Sequence, residues 1–209
     1  MSGTMSQADL VEDLKRSLHD SASVFNAAAD ADWLRFLAIS GTAMAVKRPR
    51  TLLGTVQIEA GADLYPLAAI TNFASYKTHL WGNVGVSPKP WWPGYPGAVP
   101  RVGVQGAAGA WTLVFEPAPT AQQVAAWGSA FKFWYYGQHV IGAAAAETTL
   151  ALADRPLVLL RAQAEAMREL SMRNINKPVA LRDGISGTPR NSTPAALYAA
   201  LLAEWEAAR

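Results

Sequence analysis

The chain contains no cysteine. That excludes disulfides, thiol nucleophiles and cysteine-ligated metal, and it leaves the redox compartment open. Histidine is nearly as scarce: His19, His79 and His139 stand far apart, on a helix, a loop and a strand end. No pair has zinc-ligand spacing and none has a neighbouring acid in a zinc pattern, so no metal and no cofactor is expected. Charge is thin as well. Asp, Glu, Lys and Arg make up 16% of the residues, against about a quarter in an average globular protein. Net charge is only +2, so no field of the whole molecule would draw nucleic acid to it. No run approaches the ~18 apolar residues of a spanning helix. Residues 1–20 are polar and lack a signal-peptide core, which leads us to expect assembly in the cytoplasm and no membrane partner.

What is present is a normal apolar share, 51%, in 209 residues, enough to bury a real core in one domain or in a helical domain carrying an insertion. Eight tryptophans beside so little charge imply that some surface is covered by partners. Seven Lys or Arg stand against three Asp or Glu between Lys47 and Tyr136, so any DNA contact would be local and modest.

Leu10, Leu14 and Leu18, widened by Val11, Val24 and Phe25, give an amphipathic helix over 7–25. Asp30 or Asp32 can cap a second helix carrying Trp33, Leu34, Phe36, Leu37 and Ile39. Gly41 weakens its second half, and Pro49 should stop it near Lys47. The middle changes character. Thr51–Ile58 is β-prone, Gly61-Ala62-Asp63 reads as a turn, and Leu64-Tyr65-Pro66 as a short returning strand. Further strands are expected over 101–104, 111–115 and 131–136, with a short helix over 121–127. Residues 87–100 hold five prolines, two adjacent tryptophans and a tyrosine, and should be loop-like. Pro156, with Asp154 as cap, opens a helix with Leu157, Leu160, Ala164, Met167 and Leu170 on one face; Thr193-Pro194 opens the last, with Leu197, Leu201, Leu202 and Trp205. The fold class is therefore α+β: a helical bundle from the terminal helices (1–47 and 150–209) with a central β-rich insertion (48–149).

Chemistry is hard to assemble. Gly103–Gly109 looks like a Gly-rich loop but lacks a following Lys-Ser/Thr, so a β-turn is the better reading. Glu59, Asp63 and Glu116 could serve as paired carboxylates, but no nucleophile, base and orienter come together, and the chain is read as no enzyme. The segment from Trp81 to Tyr95 admits two uses. It can anchor an interface, since Trp and Tyr dominate hot spots, or Trp91, Trp92 and Tyr95 can stack on a sugar as in a carbohydrate-binding module. It can equally pack on its own domain. Lys47, Arg48 and Arg50 can contact phosphate or merely complement a helix C-terminus.

One resemblance gathers these pieces. Arg48-Pro49-Arg50 with the strand and the Gly61…Tyr65 turn after it, Phe133-Trp134-Tyr135-Tyr136 with His139, and the blocks Leu160–Leu170, Arg173-Asn174, Lys177-Pro178-Val179, Leu181–Gly184 and Pro189–Tyr198 make the chain resemble, over residues 5–207, the head-to-tail adaptor (connector, head-completion) proteins of tailed double-stranded DNA bacteriophages. The resemblance implies a homo-oligomeric ring, usually twelvefold, fixed beneath the portal protein, continuing the channel for passing double-stranded DNA and docking the tail or a tail-terminator or nozzle protein. It places portal contact on Thr193–Arg209, with Tyr198, Leu201, Leu202 and Trp205 as anchors. Trp81, Trp91, Trp92 and Tyr95 become candidates for a subunit or tail interface, and Lys47, Arg48 and Arg50 for the channel. Residues 83–100 and 174–191 are then expected to order on docking.

Overall fold

The computed structural model describes residues 3–25, 27–82, 89–106, 110–175 and 193–208, the side chains of Asp20 and Ser21 apart. Among the described residues the fold is mixed α+β, with five α-helices and two small antiparallel sheets. The chain divides into two compact units, residues 1–48 with 139–209, and residues 49–138.

The first unit is helical. Helix α1 (Gln7–Leu18) starts where the Ser6 hydroxyl accepts from the Asp9 N–H at 3.3 Å, and it buries Leu10, Val11 and Leu14. The expected continuation to residue 25 does not form. His19 takes φ 49°, and a 3₁₀ stretch over His19–Val24 turns the chain. That turn lets Phe25 meet Trp33 and Phe36 edge-on, with ring centroids 5.1 and 5.2 Å away. Helix α2 (Ala31–Lys47) ends where Pro49 was expected to stop it. Asp30 holds the cap position without capping; its backbone is left-handed and its carboxylate goes to Lys15 at 2.6 Å. Gly41 does not weaken α2, because that face is buried and Ile141 packs across it.

Helix α4 (Arg155–Arg173) packs against α1, α2 and α5 (Pro194–Ala207), so it is buried on more than the one stripe its leucines suggest. Val158, Ala162, Ala164, Ala166, Met167 and Leu170 are all buried. Asp154 does not cap α4 with its side chain; it pairs with Arg48 at 3.3 Å. Thr193 does cap α5, its hydroxyl accepting from the Ala196 N–H at 3.2 Å, with Pro194 in the first turn. Residues 139–149, placed with the β-rich middle by sequence, belong to this unit. Gln7 donates from its N–H to Gly142 O (3.1 Å) and from Nε2 to Ile141 O (2.9 Å), and Thr148 donates to Met5 O (2.7 Å).

The second unit holds strands β1 (Arg50–Gln57), β2 (Leu64–Pro66), β3 (Phe73–His79), β4 (Arg101–Gln105), β5 (Thr112–Glu116) and β6 (Ala130–Gly137), and helix α3 (Ala121–Trp127). One sheet runs β1-β6-β3 and the other β2-β5-β4. On β6, Phe131, Phe133 and Tyr135 alternate inward and meet Phe73, Trp81, Leu113 and Phe115 in one aromatic core. Strand β2 does not return along β1 but pairs with β5; Pro66, lacking an N–H, suits an edge. Strand β3 escaped the sequence reading. Two register shifts against β6 break its period-two pattern, and its Ala, Ser and Lys carry little β-propensity. The Gly61 turn has φ 83°. It is tied down by Tyr65, whose buried hydroxyl accepts from the Glu59 N–H (2.9 Å) and donates toward Glu59 O (2.8 Å) and Ala62 O (3.0 Å).

Candidate functional site

The aromatic segment splits into a buried and an exposed part. Trp81 is only 4% exposed. Its Nε1 donates to Gly128 O at 2.8 Å and its ring lies edge-on to Trp127, 4.8 Å between centroids. Expected at an interface, it is instead a core residue of its own unit, because its long side chain reaches between Phe115 and Phe131. Trp91 and Trp92 do the opposite. They are 73% and 44% exposed, a rare condition for tryptophan. Tyr95 beside them is half-buried.

Local bonds build this surface. The Trp92 N–H donates to Lys89 O (2.9 Å) and the Tyr95 N–H to Trp92 O (3.1 Å), making two successive turns. The Lys89 ammonium sits 5.3 Å from the Trp91 ring centroid. Pro96 is buried, and Gln123 Nε2 donates to Ala98 O at 2.7 Å, pinning the segment to α3. Gln123 serves twice, since its Oε1 also accepts from the Thr120 N–H at 2.9 Å in a capping box that the sequence reading had not identified.

Near Trp81 an open cleft of about 570 Å³ is lined by Tyr76, His79, Val99, Arg101 and Val102. The Tyr76 hydroxyl and His79 Nδ1 lie 2.5 Å apart. Partial burial pushes the Tyr76 phenol up to about 12 and holds His79 below its ordinary value of 6.5.

The other sequence candidates scatter. Tyr198, Leu201 and Trp205 on α5 are half-buried against the first unit's own core, and Leu202 is half-exposed beside them. Lys47 donates to the carbonyls of Trp205 and Glu206 at the end of α5, and its ammonium lies 4.7 Å from the Trp205 ring centroid. The Arg161 guanidinium lies 5.4 Å from the same centroid. Lys47 thus complements a helix C-terminus, that of α5 rather than of its own helix. Arg48 pairs with Asp154, and Arg50 begins β1 in the second unit. His139 is a structural residue: its Nδ1 faces Thr149 Oγ1 at 3.1 Å and its Nε2 meets Arg48 O at 2.7 Å. Glu59, Asp63 and Glu116 are all exposed to solvent. Among the described residues no three metal-ligating side chains cluster, and no helix is long and apolar enough to cross a membrane.

The chain matches no family model and no curated protein. Of the segments expected to order on docking, 83–88 and 176–191 lie outside the described residues, as do 107–109 of the Gly-rich stretch and 177–192 within the C-terminal blocks.

Sequence reasoning missed Glu165. It is 4% exposed in the middle of α4, with Arg161 at 2.7 Å and Arg168 at 3.2 Å. The signal was present as Arg161 and Glu165 at i, i+4, which reads as a surface pair unless the helix is packed on several sides.

Proposed function

We propose that the protein is a structural component of a tailed-phage virion: an adaptor forming a ring between portal and tail and extending the DNA channel. It is assembled in the host cytoplasm and performs no catalysis. On this reading the terminal helices form a bundle and the β-rich middle is an insertion into it. The observation that carries the proposal is the exposed pair Trp91 and Trp92 in a chain so poor in charge. Exposed apolar surface of this kind calls for a covering partner, and tryptophan is enriched among the anchors of such contacts. A ring supplies the cover from a neighbouring copy or from the tail. The half-buried α5 residues Tyr198, Leu201, Leu202 and Trp205 are the portal-facing candidates. The near-neutral charge suits a lumen that lets DNA pass without holding it.

The test is negative-stain microscopy of the protein mixed with a cognate portal. A ring capping the portal is expected, and W91A/W92A should lose it while keeping its circular dichroism. Portal particles that stay bare would end the proposal. A change in tryptophan emission on adding sugars would assign the same pair to glycan stacking instead.

A further inference from the structure

The two sheets have four edge strands, β1 and β3 in one and β2 and β4 in the other. Edge strands expose a row of unpaired backbone groups, and proteins usually guard them. Three of the four are guarded. Strand β3 has two register shifts and carries Lys77 and His79. Strand β2 is three residues long and ends in Pro66. Strand β4 has five residues and begins with Arg101. Among the described residues strand β1 has none of these devices. It runs eight residues, Arg50–Gln57, in unbroken register with β6 from Arg50↔Gly137 to Gln57↔Ala130. It has no proline, and no charge after Arg50. Thr51, Leu53, Thr55 and Gln57 are exposed on one face, while Leu52, Gly54 and Val56 face the core, with Leu52 and Val56 only partly covered.

We propose that the free edge of β1 pairs with β1 of a second copy, antiparallel, to give a two-fold dimer with a continuous six-stranded sheet. The strand is complementary to itself. A register that keeps the core faces together must set residues of like parity opposite each other. Two such registers pair seven residues of each strand, and the one that sets the two partly covered apolar residues opposite each other puts Gly54 against Gly54, Leu52 against Val56, Leu53 against Thr55 and Thr51 against Gln57. The two partly covered apolar residues then complete each other's burial. The lone charges, the two Arg50 side chains, end at opposite ends of the joined strands, whereas a parallel pair would set them together. Head-to-tail pairing of β1 with β3 is opposed by the bulges and by Lys77. This pairing does not rest on the adaptor reading. A two-fold contact closes on itself, while a ring needs a heterologous one, so the pair describes the free protein.

The test is sedimentation equilibrium of the full chain over a concentration series. Mass should rise from that of one chain to that of two. L53K/T55K sets lysine opposite lysine twice and should hold the mass at one chain with unchanged circular dichroism. L53K/T55E sets lysine opposite glutamate in this register and should recover the doubling, lost again at high salt. A mass fixed at one chain in the wild type would overturn the proposal. So would oligomers of any size that L53K/T55K leaves intact; a ring of that kind would leave the adaptor reading standing.

Discussion

Tyr76 and His79 meet along β3, hydroxyl to Nδ1, and their shifted titrations make a prediction about pH. The unfolded chain protonates His79 at its ordinary 6.5, while the native residue, partly desolvated, takes up its proton only at lower pH. Below 6.5 the unfolded state therefore binds more protons, and stability falls as pH falls toward the native value. Tyr76 works at the other end. The unfolded phenol ionises near 10 and the native one at about 12, so stability falls again as pH rises between them. Thermal melts followed by tryptophan emission should show both arms, since six of the eight tryptophans belong to residues 49–138. H79Q should flatten the acid arm and Y76F the alkaline one. An unchanged profile in either variant would assign that arm to another group. At this scale the sequence showed that these residues were present, but not that the register shift between Tyr76 and Thr78 would bring phenol and imidazole together.

Among the elements, α3 and α5 each depend on one side chain from elsewhere or doing two jobs. Gln123 is 3% exposed and closes both the α3 cap and the tether to Ala98. Q123A should cost about 1–3 kcal/mol, since a cap and a buried hydrogen bond go together. Urea unfolding read by tryptophan emission would measure it, and a loss below a few tenths would show that water replaces both bonds. Lys47 caps α5 and lies over Trp205. K47M keeps the stem but removes the cation, and should speed hydrogen exchange in the last turn of α5 about fivefold, or ~1 kcal/mol. Exchange elsewhere in the first unit should not change. The start of α5 was legible from Thr193-Pro194, because a cap followed by proline acts within one turn. Its dependence on Lys47, 158 residues away in sequence, was not.

At the scale of the whole molecule there are two separate cores. One gathers Leu10, Leu14, Trp33, Phe36, Met44, Val158 and Leu170; the other gathers Ile58, Trp81, Phe115, Phe131 and Phe133, and no residue is shared. F36A and F133A each remove a fully buried ring and should each cost about 3–5 kcal/mol. F36A should lower the transition seen by far-ultraviolet circular dichroism, which helices dominate, and F133A the one seen by tryptophan emission. Equal shifts of both signals in both variants would mean that the units unfold as one. The low charge belongs to this scale too. It is a property of the whole chain, and it supports the proposals made above for Trp91, Trp92 and the edge of β1.

The sequence by itself determined what acts over one or two turns: where α2 stops before Pro49, where α5 starts at Thr193, which stretches are β-prone, and which chemistry the lack of cysteine excludes. Only the tertiary structure decided where each aromatic went. Trp81 and Trp91 are the same residue type within one segment, yet one is core and the other surface. It also decided that β3 is a strand, that β2 joins β5, and that Glu165 is buried between arginines. The reason is common to all of these. Caps, prolines and turn glycines act through their own backbone. Burial and strand pairing depend on residues far away along the chain, and a bulge or a helix packed on several sides erases the periodicity that would announce them.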